Sequence, residues 1–399
     1  MSRGPGSVPT LFTGAFILAA LANALLNFAA FLFVHLPGFL QQLGAGEAQI
    51  GRIMAAQAVG AIVVAPFAGR AMDTRGRRVV ILAGVALFVT AVAMYLTIRS
   101  ISPYAYAVRV LDGAATTMWY TALFTYAADL IPAERRTEGL AIFGISGLVA
   151  IGLGAQTGEM ILSSTTYRGV FLCALALAAL GLLLCLPLRD VSPNHSAQRE
   201  RARHVLATTV QRNLLPVWFA ALAFFIAVVA LFAFMKTFVI TTGTSSVGAF
   251  FGAYAIVAVA LRTVAGRLPE RLGIRRTLGV AMSCYAAGLG VLSIANTSGQ
   301  VLAAGLLCGA GHGYTFPVLL SLVVTRARSA ERGAATAFFA TVDWLALLIA
   351  GPVVGVAIDE NRWAGRQGGW RRRNRDVVTS PVASATRQSL RQFRSRCRH

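Results

Sequence analysis

Three charged side chains sit in stretches that are otherwise apolar. Arg109 and Asp112 lie three residues apart in RVLDGAATTMWY (109–120), and Asp343 stands alone in FFATVDWLALL (338–348). On a helix, positions i and i+3 share a face, so Arg109 and Asp112 can pair. A charge at the centre of a bilayer costs about 2.5–3.5 kcal/mol on insertion scales, so each must face a partner or a polar cavity. Asp343 has no base within a turn. A carboxyl in apolar surroundings favours its neutral form, so Asp343 can carry a proton or hold a cationic substrate. The plainer alternatives are a static buried ion pair and a carboxyl bonded to a neighbouring helix. His312, among glycines in GAGHGYTFP (309–317), could titrate or simply pack.

Other side chains could line a cavity for a small molecule. Asn23 and Asn27 share a helix face by i, i+4 spacing, and could instead join two helices, as could Gln57 and Gln156. Trp119, Tyr120 and Tyr314 could stack on an apolar ligand or fill space. Lys236 and Arg262 fall near the ends of apolar blocks, where such side chains snorkel. No phosphate-binding loop, metal-ligand spacing or Ser/His/Asp set accompanies them, so no catalytic residue and no metal are expected. The chain is not expected to be an enzyme or to carry a cofactor. Five cysteines, four in apolar blocks, suit neither a disulfide framework nor a zinc site.

The elements that must position these residues are membrane helices. The chain is 56% hydrophobic and 13% charged, against roughly 25% charged in a soluble domain. Eleven apolar blocks read as helices: 11–34, 50–68, 79–98, 104–130, 139–162, 169–187, 214–236, 247–265, 277–295, 300–324 and 333–358. The first is longer than the core of a signal peptide. Alternate connections hold nineteen arginines on one side and three on the other. The positive-inside rule makes the rich side cytoplasmic and puts the N-terminus inside.

The sequence also repeats itself. Gly69, Asp73 and Gly76 in GRAMDTRGRR (69–78) match Gly266, Glu270 and Gly273 in GRLPERLGIRR (266–276), each 197 residues on. The tripeptide AER recurs at 133–135 and 330–332 with the same offset. A duplicated helix bundle with a binding site between its halves is a transporter architecture. The expected organisation is an N-terminal bundle of helices 1–6 (1–188), a cytoplasmic connection (189–213), a C-terminal bundle of helices 7–11 (214–359) and a basic tail (360–399).

At these residues the sequence resembles the major facilitator superfamily. GRAMDTRGRR is similar to that family's G-x-x-x-D-R-x-G-R-R signature at Gly69, Asp73, Gly76, Arg77 and Arg78, departing at Thr74. RVLDGAATTMWY is similar to its fourth-helix motif, and Phe316-Pro317 with ERGAATAFFATVDW (331–344) resembles helices ten and eleven of bacterial efflux-type members. The resemblance implies an all-α integral membrane fold of two pseudo-symmetric six-helix bundles, the second keeping only five. It implies a gating role for the signature loops and proton coupling for Arg109, with Asp112, Asp343 and His312 as further candidates. The expected protein is a monomeric, multi-pass secondary transporter of the inner (plasma) membrane. Its partners would be the lipid bilayer, protons and a small organic substrate, not nucleic acid. Proton-coupled efflux is the leading expectation. A proton-linked importer and a non-transporting membrane protein are the alternatives.

The tail does not fit this frame. The repeat places the counterpart of helix six at 364–383, AGRQGGWRRRNRDVVTSPVA, which cannot span a bilayer. After eleven spans it would emerge outside, with eleven arginines against Glu360 and Asp376. A nucleic-acid arm or a membrane-surface segment would belong in the cytoplasm. The remaining reading is a change of reading frame near or before Trp370. Resequencing the gene is then expected to uncover an adjacent frame encoding an apolar span of about 20 residues. A confirmed frame with no such span would refute it.

Overall fold

The computed structural model describes residues 12–132, 136–190, 211–264, 268–328 and 332–379. For residues 73, 136–138, 140–141, 269–270, 332–334 and 361–379 it describes the backbone alone. The described chain is helical, in the order α1 (Gly14–Phe31), α2 (Leu36–Gln42), α3 (Glu47–Arg75), α4 (Arg77–Tyr95), α5 (Pro103–Leu130), α6 (Arg136–Ser164) and α7 (Tyr167–Cys185). The second half holds α8 (Leu215–Thr242), α9 (Val247–Val264), α10 (Leu268–Leu272), α11 (Ile274–Ser293), α12 (Ser298–Arg326) and α13 (Arg332–Thr379).

With α1 and α2 counted as one path and the five-residue α10 set aside, these are the eleven blocks read from the sequence. Pro37, in the first turn of α2, lacks the N–H that would continue the ladder. A short 3-10 turn, Leu32–His35, bridges the break and carries the first path to Gln42. Nine of the paths are apolar and long enough to cross a membrane. The chain is a multi-pass membrane protein. The two that fall short on composition are α5, which carries Arg109 and Asp112, and α11.

The signature regions are not loops. α3 runs through Arg75 and α4 starts at Arg77, so the reversal falls on Gly76 alone. Gly76 has φ +89° and Gly273, its partner in the repeat, has φ +84°. Side chains rarely adopt that backbone region, and glycine enters it without strain. The offset of 197 residues is thus a repeat of structure as well as of sequence.

Each half builds its own core. One core centres on Leu26, Phe88, Trp119, Tyr126 and Phe171 and borrows Ala233 and Phe234 from α8. The other centres on Phe224, Phe250, Phe251, Tyr254 and Leu319 and borrows Val34, Leu148, Ile151 and Ala155. Without a hydrophobic drive between helices in lipid, close backbone approach supplies the packing. α3 and α5 meet at glycines on both sides. A Cβ on Gly60 would strike the carbonyl of Val110, and one on Gly113 that of Gln57. At Gly69 a Cβ would meet nothing within 4 Å. Gly113→Ala is therefore expected to destabilise the protein by about 1–3 kcal/mol through overpacking. Gly69→Ala should stay within about 0.5–1 kcal/mol of wild type, with thermal unfolding in detergent as the measurement.

Candidate functional site

The charged pair in α5 lies inside the first half, against α3 and α4. Arg109 and Asp112 are 3% and 2% exposed, and Arg109 Nη1 sits 2.6 Å from Asp112 Oδ2. The same oxygen accepts from the Tyr95 hydroxyl at 3.0 Å, and Asp112 Oδ1 accepts from Thr116 at 3.3 Å. Arg109 Nη2 donates to Gln57 Oε1 at 2.6 Å and approaches Met54 Sδ at 3.6 Å. Arg109 Nε has no acceptor among the described residues. Spacing alone pointed to the pair. Tyr95 and Gln57, which complete it, come from other helices, and no local pattern ties them to it.

The other acid stands apart from any such network. Asp343 on α13 makes no hydrogen bond or ion pair among the described residues. Asp343 and Arg262 of the second half both act electrostatically on Tyr120 of the first, so the three side chains come near one another across the halves. Tyr120 is 43% exposed, and Asp343 and Arg262 are half-buried. Arg262 is not a free snorkelling charge: its Nε donates to the Gly313 carbonyl at 3.0 Å. His312 bonds to the Tyr254 hydroxyl through Nδ1 and packs between Phe224 and Phe316. Tyr314 is buried, its hydroxyl 3.4 Å from the Leu261 carbonyl.

The remaining candidates serve packing. Asn27 Nδ2 donates to the Asn23 carbonyl at 2.8 Å, and Asn23 Nδ2 donates to Ser146 Oγ at 2.7 Å, joining α1 to α6. Trp119 is 1% exposed and lies against Phe88. In the signature, Arg77 donates to Asp129 at 3.0 Å and to the Met72 carbonyl at 3.0 Å. Arg78 donates to the carbonyls of Leu188 at 2.6 Å and Leu186 at 3.0 Å, and its amide to Asp190 at 3.3 Å. All of these bonds stay within the first half. The side chains of Asp73 and Glu270, and Gly266 as a whole, lie outside the described residues.

The halves are joined at one end. Every hydrogen bond and ion pair described between them sits where the connections are poor in arginine. Asp359 accepts from the amides of Glu47 and Ala48, and Glu159 accepts from those of Val247 and Gly248. Lys236, which the sequence placed at a helix end as a snorkelling residue, is buried and lies 3.8 Å from Glu159. Gly51 and Gly248, 197 residues apart, both lie on this seam. A Cβ on Gly51 would strike the carbonyl of Gly351, and one on Gly248 the side chain of Gln156.

A Major Facilitator Superfamily model matches residues 13–363. The chain belongs to the Major Facilitator Superfamily. Among curated superfamily relatives, Multidrug resistance protein 2 of Bacillus subtilis (strain 168) is 23% identical over 274 residues, covering 64% of this chain and 68% of that protein. Multidrug resistance protein MdtL of Klebsiella pneumoniae (strain 342) is 27% identical over 173 residues, 43% of this chain and 44% of that one. The chain thus spans about two thirds of one relative and less than half of the other. Among solved structures, a mutant form of the nucleoside transporter NupG matches with a TM-score of 0.74 at 12% identity, covering 86% and 91% of the two chains. A bacterial homolog of the human lysosomal transporter Spinster, solved inward-facing and unoccupied, matches with a TM-score of 0.73 at 14% identity, covering 92% and 86%. At such identities the solved structures share the fold.

The pair at Arg109 gives a thermodynamic prediction. Arg109→Met alone leaves Asp112 buried without its partner, which is expected to cost about 3–5 kcal/mol. Arg109→Met combined with Asp112→Leu removes both charges and should unfold nearer to wild type than either single variant. Thermal unfolding of the wild type, the two single variants and the double variant in detergent checks the order.

Proposed function

We propose that this chain is a secondary active transporter that exports a small organic compound in exchange for protons by alternating access. The observation that carries the reading is the one-sided seam. Two internally packed halves exchange polar bonds at one end, and Tyr120, Asp343 and Arg262 come near one another between them, where the reading places the substrate cavity. Such halves can rock about the cavity, opening one end as the other closes. The nineteen arginines favour an inner-membrane protein with a cytoplasmic N-terminus. In that orientation the closed seam faces outside and the cavity faces the cytoplasm, the state from which an exporter loads.

Asp343 is the proton carrier in this reading, and the proton gradient is the energy source. A carboxyl without a bonded partner can take a proton when the cavity faces outside and release it to the cytoplasm. Substrate and proton would then compete for one face of α13. Export to multidrug-resistance-type substrates is favoured by the names of the two curated relatives. The Arg109 pair, sealed inside one half, would hold α3, α4 and α5 as one rigid body.

Proteoliposomes with an imposed pH gradient and a fluorescent lipophilic cation test this. Wild type is expected to drive the dye against its gradient. Asp343→Asn should lower gradient-driven flux at least about tenfold, one RT-scale decade of about 1.4 kcal/mol, while dye–dye exchange persists. Unchanged gradient-driven flux in Asp343→Asn contradicts its role, and no flux in the wild type contradicts transport.

A further inference from the structure

Two carboxylates that carry no part of the proton step close the seam. α3 begins at Glu47 with Gly46 as its N-cap, and no side chain of its own bonds the first-turn amides from that cap. Asp359 supplies the acceptors from the other half: Oδ1 takes the Glu47 amide at 3.1 Å and Oδ2 the Ala48 amide at 2.9 Å. At the start of α9, Glu159 Oε2 takes the Val247 amide at 2.9 Å and the Gly248 amide at 3.2 Å. A helix N-terminus presents unpaired N–H groups and a partial positive charge. A carboxylate accepting two of them makes charge-assisted bonds that weaken when it is protonated.

The two contacts are copies of one another. Asp359 follows Glu159 by 200 residues, and Val247 follows Glu47 by 200. Each acceptor lies on the fifth path of its half, toward the arginine-poor side, and each donor begins the second path of the opposite half. The whole contact is offset by one helical turn from the 197-residue repeat, so acceptor and donor have shifted together. Both acceptors are partly exposed, which leaves them open to protons from the adjoining solvent.

We infer that Glu159 and Asp359 are a reciprocal pair of gate residues whose charge-assisted bonds hold the arginine-poor end shut, and that removing those charges releases it. They are positioning residues, acting through the helix starts and not on the substrate. Glu159 is faced by Lys236 on α8, by His35 in the turn before α2 and by Tyr167 on α7. Asp359 sits on the start of α3, which opens at Glu47, and Arg52 further along that helix bonds the Ala48 carbonyl. The inference rests on the alternating-access reading.

Spin-label distances in the full chain, reconstituted in nanodiscs with the native cysteines replaced, test it. One label pair goes on Ser100 and Gly299 at the arginine-poor end, and another on Arg75 and Leu272 at the opposite end; all four positions are exposed. At neutral pH wild type is expected to populate mainly a short Ser100–Gly299 distance with a minor long one, and the Arg75–Leu272 distance in the opposite proportion. Glu159→Gln with Asp359→Asn should favour the long Ser100–Gly299 distance by about tenfold per carboxylate, with the Arg75–Leu272 distance shortening in step. If the double variant loses the reciprocal change, the single Asp359→Asn and Glu159→Gln variants decide by the same two distances. Populations unchanged in all three variants overturn the gate. A wild type with a single distance at each end, unaltered by the lipophilic cation, overturns alternating access itself, and the gate with it.

Discussion

A bilayer core offers no water to a polar group, so every amide and charge in it must find its partner inside the protein. The arrangement of this chain follows from that shortage. Arg109 divides its donors among Asp112, Tyr95 and Gln57, all in the first half. Asn23, Asn27 and Ser146 consume one another between α1 and α6. Helix starts that lack a cap of their own are capped from across the molecule. Among the described residues Asp343 is a charged group of a spanning helix that makes no hydrogen bond or ion pair.

Satisfying polar groups within each half frees the halves to move as units. Each has its own apolar core, and the Arg109 network and the Arg77 and Arg78 bonds are internal to the first. Between the halves lie shared apolar contacts, such as Phe31 against Phe232, and a seam of close backbone approaches and carboxylate caps. The seam contacts are short and directional, so they can be exchanged without disturbing either core. In the proposed reading the buried ion pair stiffens the first half, and the proton step falls to the groups between the halves.

Much of this was legible in the sequence where it was local or periodic. The eleven apolar blocks became eleven helical paths, because a spanning segment announces itself by composition. The offset of 197 residues reappeared in the backbone of Gly76 and Gly273, since a left-handed turn admits glycine and little else. The i, i+3 spacing of Arg109 and Asp112 placed them in contact. What escaped was long-range. Tyr95 and Gln57 have no sequence mark that ties them to Arg109. Lys236 looked like a helix-end residue because its partner Glu159 lies 77 positions away. The signature read as a loop because its charges are those of a membrane surface, yet helix runs through it to Arg75. One signal went unused: the 200-residue spacing of Glu159 and Asp359 nearly equals the repeat, and acids at the ends of matching helices were a pair to be tested.

The account turns on a cavity between the halves that is closed at the arginine-poor end and open at the other. A single cysteine at Tyr120, in otherwise cysteine-free protein, reports this directly through a membrane-impermeant maleimide. In inverted vesicles, with the cytoplasmic face outward and neutral medium, the account predicts rapid labelling; in right-side-out vesicles under the same conditions it predicts protection. Labelling from the external face alone, or from neither face, would contradict it.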